Sequence, residues 1–267
     1  MHRADSATTP DVQVTTRGEL PPGSAEYATK KIGKRLRFAH RPVLAVRVRL
    51  SRHGDPAVDR PVVAQANLDV DGRPVRAQAV GATATESIDR LDDKVRHLLE
   101  RAALHWEARR GGRPAPGAHE WRHGSVPARR PEYFPRPETE REIIRHKSYS
   151  LHRRTVDEAA FDMHLLDYEF HLFTEAGTGQ DSVLYHAGQT LHRLAQLTPP
   201  GPHQLAPFKL ALTISQQPAP LLSTAESVDR LALTGLPFLF FLDAERGRGS
   251  VLYHRYDGHY GLITPSA

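Results

Sequence analysis

The sequence of 267 residues contains no cysteine. Disulfides, thiol nucleophiles and cysteine-ligated metal sites are therefore excluded. Long apolar runs are also missing, since the longest covers residues 236–242 and includes Pro237. A membrane-spanning helix needs about 20 apolar residues, and the N-terminus lacks the apolar stretch of a secretory signal. We therefore expect a cytoplasmic protein with no membrane partner.

Signatures of catalysis are missing as well. There is no Gly-x-Ser-x-Gly motif, and Gly177-Thr178-Gly179 lacks the third glycine of a nucleotide-binding loop. Histidine is abundant, but His119 and His123 stand in a Pro/Gly-rich segment without a metalloprotease motif. The sequence predicts no catalytic residues, no metal, no cofactor and no small-molecule substrate, and thus a protein that is not an enzyme.

The charge is unevenly distributed along the chain. Residues 1–110 carry 20 Lys and Arg against 14 Asp and Glu, a net charge of +6. Residues 111–142 have a net charge of +1, and residues 143–267 have a net charge of −2. Because the excess of positive charge is largely in the N-terminal part, this part is predicted to bind a polyanion.

Composition divides the chain into three ordered parts. Residues 111–142 contain six prolines and four glycines with few apolar residues, which predicts a flexible linker. A second, Pro-rich break predicts a shorter linker at residues 196–208. The predicted domains are residues 1–110, a first C-terminal module at 143–195 and a second at 209–267.

The two C-terminal modules are an internal repeat. A shift of 68 residues places Ser182-Val183-Leu184-Tyr185-His186 on an identical run that begins at Ser250. His186 and His254 are therefore equivalent, which favours a structural role for both. Thr155 and Ser223 are each followed three residues later by glutamate, the spacing of a capping box. Each module is predicted to be a helix followed by a β-hairpin.

The N-terminal domain is predicted to have the element order β-α-β-β-β-α. Alternating apolar residues indicate strands, Asp71-Gly72 indicates a hairpin turn, and spacings of three and four indicate two helices, at about 24–38 and 85–109. The fold class is therefore α+β: two helices on one face of a four-stranded sheet, plus two small repeated α+β modules.

Each module by itself leaves strand edges and apolar strands uncovered. The run that begins at Phe238 would be prone to aggregation if it were exposed, and the other module is the nearest partner. The residues predicted to mediate this pairing are Phe170, Phe173, Val183, Tyr185, Phe238, Phe240, Phe241, Val251 and Tyr253.

Basic residues form stripes on the two N-terminal helices. Arg90, Lys94, His97 and Arg101 are spaced by four, three and four residues on the second helix, and Lys30, Lys34 and Arg37 lie on the first, next to Lys31 and Arg35. Rows of cationic side chains such as these can bind the phosphates of a nucleic-acid backbone. Because the basic domain has few aromatic residues, it is expected to recognise folded RNA by shape rather than to stack on single-stranded bases. Alternatively, these residues only solubilise the helix faces, together with acidic residues such as Asp89.

Two segments resemble a known family. Residues 87–95, Ser-Ile-Asp-Arg-Leu-Asp-Asp-Lys-Val, are similar to the Ala-Ile-Asp-x-Leu-x-Asp-Lys-Leu pattern of the bacterial ribosome hibernation promoting factors, also called ribosome-associated translation inhibitors. Residues 253–263, Tyr-His-Arg-Tyr-Asp-Gly-His-Tyr-Gly-Leu-Ile, resemble the closing motif of the long-form members. The doubled module, whose first copy lacks this motif, resembles the actinobacterial, mycobacterial-type factors linked to hypoxia and dormancy.

The resemblance implies a function for each part of the chain. It implies that the N-terminal domain binds 16S rRNA at the decoding region of the small subunit, blocks mRNA and tRNA, and stabilises idle 70S ribosomes under stress. The implied rRNA contacts are Lys30, Lys31, Lys34, Arg35, Arg37, Arg76, Arg90, Lys94, His97 and Arg101.

Alternatives remain at this stage. Our hypothesis is that the two modules pair within one chain, which would silence single ribosomes. Pairing between chains would instead give a homodimer that joins ribosomes into 100S particles. A general RNA-binding or transcription-modulating protein would use the same basic surface.

Overall fold

The computed structural model describes residues 10–36, 39, 41–54, 58–109, 136–187, 191–201 and 203–266. These residues form four helices and three sheets, which confirms the predicted α+β class. They group into an N-terminal unit and a C-terminal unit, described here in turn. Most of the predicted linker, residues 111–135 of 111–142, lies outside the described residues.

The N-terminal unit has the predicted order β-α-β-β-β-α. Its elements are β1 (Val12–Arg17), α1 (Ser24–Leu36), β2 (Val43–Arg52), β3 (Val62–Val70), β4 (Arg73–Gly81) and α2 (Ala84–Arg109). The sheet order is β1-β2-β3-β4, with β1 parallel to β2 and the other pairs antiparallel. The predicted turn joins β3 to β4, with positive φ angles at both Asp71 and Gly72, as a tight hairpin requires.

The alternation of buried residues in the strands and the spacing of apolar residues in the helices explain how the core of this unit forms. Every second residue of β2 to β4 is buried, so the sheet has one apolar face. The helices bury stripes toward that face, represented by Ala28 and Ile32 on α1 and by Ile88, Leu91 and Val95 on α2. Beside these stripes, Lys30 and Lys34 of α1 and Arg90 and His97 of α2 remain exposed.

The C-terminal unit contains the two repeats. Its elements are β5 (Ile143–Tyr149), β6 (Arg153–Arg154), α3 (Val156–Leu165), β7 (Phe170–Glu175), β8 (Asp181–Ala187), β9 (Leu191–Gln196), β10 (Leu212–Ile214), β11 (Leu221–Leu222), α4 (Thr224–Thr234), β12 (Phe238–Asp243), β13 (Gly249–His254) and β14 (Tyr260–Pro265). The shift of 68 residues carries β7 onto β12 and α3 onto α4, in agreement with the repeat.

Both predicted helix caps are present. The Ser223 side chain accepts a hydrogen bond from the Glu226 backbone, and the Glu226 carboxylate accepts one from the Ser223 backbone. Thr155 and Glu158 exchange the same two hydrogen bonds at the start of α3. Such caps stabilise a helix by about 1 kcal/mol, which is important for helices of only three turns.

The sheets contain more strands than the predicted hairpins. Their orders are β10-β9-β8-β7-β6 and β11-β12-β13-β14-β5. Thus β5, which precedes the first helix, pairs with β14 of the second repeat, and β10, which precedes the second helix, pairs with β9 of the first. Because the shift of 68 residues carries β5 onto the segment that contains β10, the exchange is reciprocal. The hydrophobic pattern of the sequence does not reveal this exchange, because the residues of an edge strand do not indicate which strand it pairs with.

Three apolar cores hold the C-terminal unit together. One lies between α3 and the first sheet and includes Met163 and Leu184. Another lies around Leu231 of α4 and the second sheet. The third contains residues of both sheets, with Val183 from one and Val251 from the other. Within the described residues, no helix combines the length and apolar character needed to cross a membrane.

Candidate nucleic-acid and module interfaces

A basic groove runs between α1 and α2. It has a volume of about 420 Å³ and is lined by Tyr27, Lys30, Lys31, Lys34, Arg35 and Asp92. Lys30 and Lys34 are exposed on the outer side of α1. The structure therefore brings four of the candidate rRNA-binding residues of α1 to one groove, in which Lys30 and Lys34 are open to an incoming phosphate.

Lys31 is held by a carboxylate of the other helix. Its Nζ lies 2.7 Å from Asp89 Oδ1, and the Tyr27 hydroxyl donates to the same oxygen at 2.7 Å. The hydrogen bond to Asp89 raises the pKa of Lys31, and the same bond lowers the pKa of Asp89. This cluster joins α1 to α2, so the charge of Lys31 is partly neutralised inside the groove.

Arg35 makes the second bridge between the helices. Its Nε and one terminal nitrogen donate to the two oxygens of Asp92, at 2.9 and 2.5 Å. The Asp92 side chain is only 6% exposed and that of Arg35 is 28% exposed. A bidentate pair of this kind is strong and directional, and the hydrogen bond to Asp92 raises the pKa of Arg35 further. Arg35 therefore positions the helices at the groove.

The basic residues of α2 differ in exposure. Arg90 and His97 are exposed, whereas Lys94 and Arg101 are half-buried. Arg90 pairs with Glu86 one turn earlier and donates to the Val80 carbonyl. Arg90, one of the two exposed residues of this set, therefore already has a carboxylate beside it.

Five of the described candidate residues do not line the groove, namely Arg90, Lys94, His97 and Arg101 of α2 and Arg76 of β4. Arg76 lies on β4 between Val75 and Ala77, which are buried toward the helices, so its side chain is on the opposite face of the sheet, where it donates to Gln65 and Gln78. Arg37 lies outside the described residues.

The described residues contain no cluster of three or more His, Asp or Glu with the geometry of a metal site. His119 and His123 lie outside them. His186, by contrast, packs against His192 with ring centroids 5.0 Å apart, and the equivalent pair in the second repeat, His254 and Tyr260, has the same separation.

The two sheets meet through equivalent residues. Phe170 and Phe238, which correspond in the repeat, have ring centroids 4.7 Å apart. Phe170 also contacts Tyr253 at 5.7 Å, and Phe238 makes the matching contact with Tyr185 at 5.3 Å. Equivalent residues that contact each other, with reciprocal contacts around them, define a two-fold arrangement of the repeats.

Seven of the nine candidate pairing residues belong to this shared core. They are Phe170, Val183, Tyr185, Phe238, Phe240, Val251 and Tyr253. Phe173 and Phe241 lie on the other faces of their strands, in the separate cores beneath α3 and α4. Their neighbours along the strands face the partner sheet, because side chains alternate between the two faces of a sheet.

The closing sequence of the second repeat forms the β13–β14 turn. Arg255 donates to the Asp257 carboxylate at 2.8 Å, and Gly258 has a φ of +80°, which favours glycine. Gly261 packs directly under the Tyr253 ring, where a Cβ would overlap the ring. Burial opposes ionisation of Asp257, but the hydrogen bond and charge of Arg255, together with the hydrogen bond and charge of His259, outweigh it and lower the pKa of this carboxyl group.

The buried His192 predicts a pH-dependent stability of the first repeat. Burial lowers its pKa to about 4, and the neighbouring His186 adds to this effect. An unfolded histidine titrates near pH 6.5, so the unfolded chain binds the proton first as the pH falls from 6.5 to 4. The free energy of unfolding should therefore decrease over this window, by about 2 kcal/mol after allowance for solvent screening.

The matched variant for this prediction is His192→Tyr, because Tyr260 occupies the equivalent position with the same ring separation. Urea unfolding at pH 7 and pH 4.5 should show a smaller loss of stability for the variant than for the natural chain. Equal losses in the two proteins would contradict the assignment to His192.

Comparisons with known proteins agree with this architecture. The family model described as "Sigma 54 modulation/S30EA ribosomal protein C terminus" matches residues 138–190 and again 215–262. The dormancy associated translation inhibitors of two Mycobacterium tuberculosis strains, CDC 1551 and H37Rv, are each 38% identical over 96% of this chain and 89% of their own length. The chain belongs to the ribosome hibernation factor family. Its form is the long one with two C-terminal modules, as the doubled match of the family model indicates.

Two solved structures are similar to about a third of this chain. The Thermus thermophilus Protein Y N-terminal domain is 22% identical, with a TM-score of 0.29, and the match covers 34% of this chain and 97% of that one. A ribosomal subunit interface protein from Coxiella burnetii is 18% identical, with a TM-score of 0.29, and the match covers 34% of this chain and 96% of that one.

Proposed function

We propose that this protein is a non-enzymatic ribosome hibernation factor that inhibits translation by occlusion. Its N-terminal domain binds the small ribosomal subunit at the decoding region, blocks mRNA and tRNA binding, and stabilises idle 70S ribosomes under stress or dormancy. The observation that carries the proposal is the identity of 38% over 96% of the chain with proteins named as translation inhibitors. The basic groove between α1 and α2 supports it as the rRNA-binding surface.

We further propose that the two modules pair within one chain. The reciprocal exchange of β5 and β10 supports this arrangement, because each sheet of the chain is completed by a strand from the other repeat. The shared core also buries the phenylalanines that would otherwise be exposed on each module. Among the described residues, the apolar faces of both module sheets are covered in this way, so the chain acts on single ribosomes.

Sucrose-gradient sedimentation of ribosomes from the same source with the purified protein tests both parts. We expect the protein on 70S particles with no 100S peak, and we expect mRNA and tRNA to compete with it. A 100S peak would contradict pairing within the chain. Protein that stays at the top of the gradient at low salt would contradict ribosome binding, and binding without tRNA competition would instead indicate a general RNA-binding protein.

A disulfide trap distinguishes pairing within a chain from pairing between chains. The hydroxyl groups of Ser150 and Ser266 lie 2.9 Å apart, where β5 runs beside β14. The natural chain has no cysteine, so S150C/S266C introduces the only thiol pair. Mild oxidation should give a monomeric band with altered mobility on a non-reducing gel, because the two thiols belong to one chain.

The single variants S150C and S266C are the matched controls for the trap. Mixed together and oxidised, they should give little cross-linked dimer. A dimeric band from the double variant, or from the mixture of single variants at similar yield, would show that β5 adds to the sheet of a second chain.

A further inference from the structure

A charged contact lies at the edge of the apolar interface between the two sheets. The Asp181 carboxylate accepts hydrogen bonds from Arg248 Nε at 2.8 Å, from an Arg248 terminal nitrogen at 3.0 Å, and from the Gly249 backbone nitrogen at 2.9 Å. Asp181 is only 5% exposed. A carboxylate buried to this extent needs its partners, because an unpaired buried charge is strongly unfavourable.

This contact joins equivalent positions of the two repeats. Residue 181 corresponds to residue 249 under the shift of 68, and residue 180 corresponds to residue 248. Yet the repeats differ here: the first carries Gln180 and Asp181, and the second carries Arg248 and Gly249. In a symmetric arrangement, the acid of one repeat therefore meets the base and the glycine of the other.

Pairing of two first modules would be unfavourable at this point. It would place an aspartate where Gly249 stands, and a Cβ at that position lies 2.7 Å from the Asp181 Cβ, closer than real Cβ contacts. It would also bring two buried carboxylates together without a cation. Both the steric overlap and the repulsion between like charges oppose this pair.

Pairing of two second modules would also lose the contact. Each Arg248 guanidinium would enter the interface without the Asp181 carboxylate, and each Gly249 nitrogen would lose its acceptor. Removal of one member of a buried, hydrogen-bonded charge pair leaves the other unsatisfied. Only the mixed pair of one first and one second module satisfies all these groups.

We propose that Asp181, Arg248 and Gly249 form a specificity element that selects pairing of a first with a second module and rejects pairing of identical modules. The proposal rests on the proposed pairing within the chain and explains its selectivity. One chain contains both members of the permitted pair, and the link between them holds them at high effective concentration. A second copy of the chain therefore gains no access to either module.

The test places charge variants in the full-length S150C/S266C chain and measures the ratio of chains with the intrachain disulfide to chains without it. Analytical ultracentrifugation of the same samples gives the mass and detects pairing of identical modules between chains. R248D puts a second carboxylate beside Asp181 and should lower this ratio by about ten- to a hundred-fold. D181N/R248D removes the repulsion and should recover much of the ratio. R230D, which makes the same change of charge on the exposed face of α4, should behave like the parent chain.

An unchanged ratio in R248D would overturn the proposal, and so would a double variant as impaired as R248D. If circular dichroism shows that R248D is unfolded, D181N and R248Q provide the same test, because their effects on the ratio should be strongly non-additive in the double variant. An interchain disulfide in the parent S150C/S266C chain would instead contradict the proposed pairing itself, whatever the charge variants do.

Discussion

Replacing Lys30 and Lys34 together with glutamate is expected to weaken ribosome binding by about a hundred-fold at physiological salt. Both side chains are exposed on the outer side of α1 and line the groove between the helices. Hydrogen bonds to charged groups contribute about 1.5–3 kcal/mol each, and each lost phosphate contact also reduces the salt dependence of binding by about one unit. Titration of 70S ribosomes with labelled protein at several salt concentrations measures both quantities.

The matched control for K30E/K34E is R193E/R230E, which changes the net charge by the same amount on exposed residues of the two modules. This control should retain most of the affinity, and both variants should keep the circular dichroism spectrum of the natural chain. Equal loss of affinity in the two variants would indicate that net charge, rather than the groove, governs binding.

Replacement of Arg35 by alanine is expected to lower the free energy of unfolding of the N-terminal domain by about 3 kcal/mol. The reason is that Asp92, whose side chain is only 6% exposed, would lose its bidentate partner. Loss of one member of a buried ion pair is far more damaging than loss of both, because the remaining charge stays desolvated. Urea unfolding at pH 7, followed by circular dichroism, measures the change.

The double variant R35A/D92A should be more stable than the sum of the two single effects predicts, since it leaves no buried charge unpaired. Lys31→Ala is the matched control, because the pair of Lys31 and Asp89 is more exposed, at 37% and 44%. Its loss should lower the stability by less than about 1 kcal/mol. Similar losses in R35A and K31A would contradict the distinction between a pair that supports the fold and a pair at the surface.

Much of the fold was predictable because it depends on short-range patterns. Alternation of Val46, Val48 and Leu50 predicts β2, and Asp71-Gly72 predicts the turn after β3. The caps at Thr155 and Ser223 depend on residues three positions apart. The repeat is visible in the sequence itself, and with it the expectation that both modules share one fold.

The interfaces were predictable only in part. Helical spacing places the basic residues on α1 and α2, but it does not reveal that Lys31 and Arg35 are paired with Asp89 and Asp92, which lie 58 and 57 residues further along the chain. Asp89 could be taken from the sequence as simply another charge on a solvated face. Once the helices pack together, Asp89 binds Lys31 of the other helix. Lys31 is then less accessible to a ligand than Lys30 and Lys34, which are exposed.

The sequence by itself determined the α+β class, the basic N-terminal domain, the doubled module and the resemblance to the hibernation factors. The tertiary structure decided which cations are accessible, which sheet receives β5 and β10, and that Asp181 meets Gly249 across the repeat. The physical reason is the range of the interactions. Hydrophobic periodicity, turn geometry and capping act over a few neighbouring residues, whereas ion pairs and edge-strand pairing join residues that only the folded chain brings together.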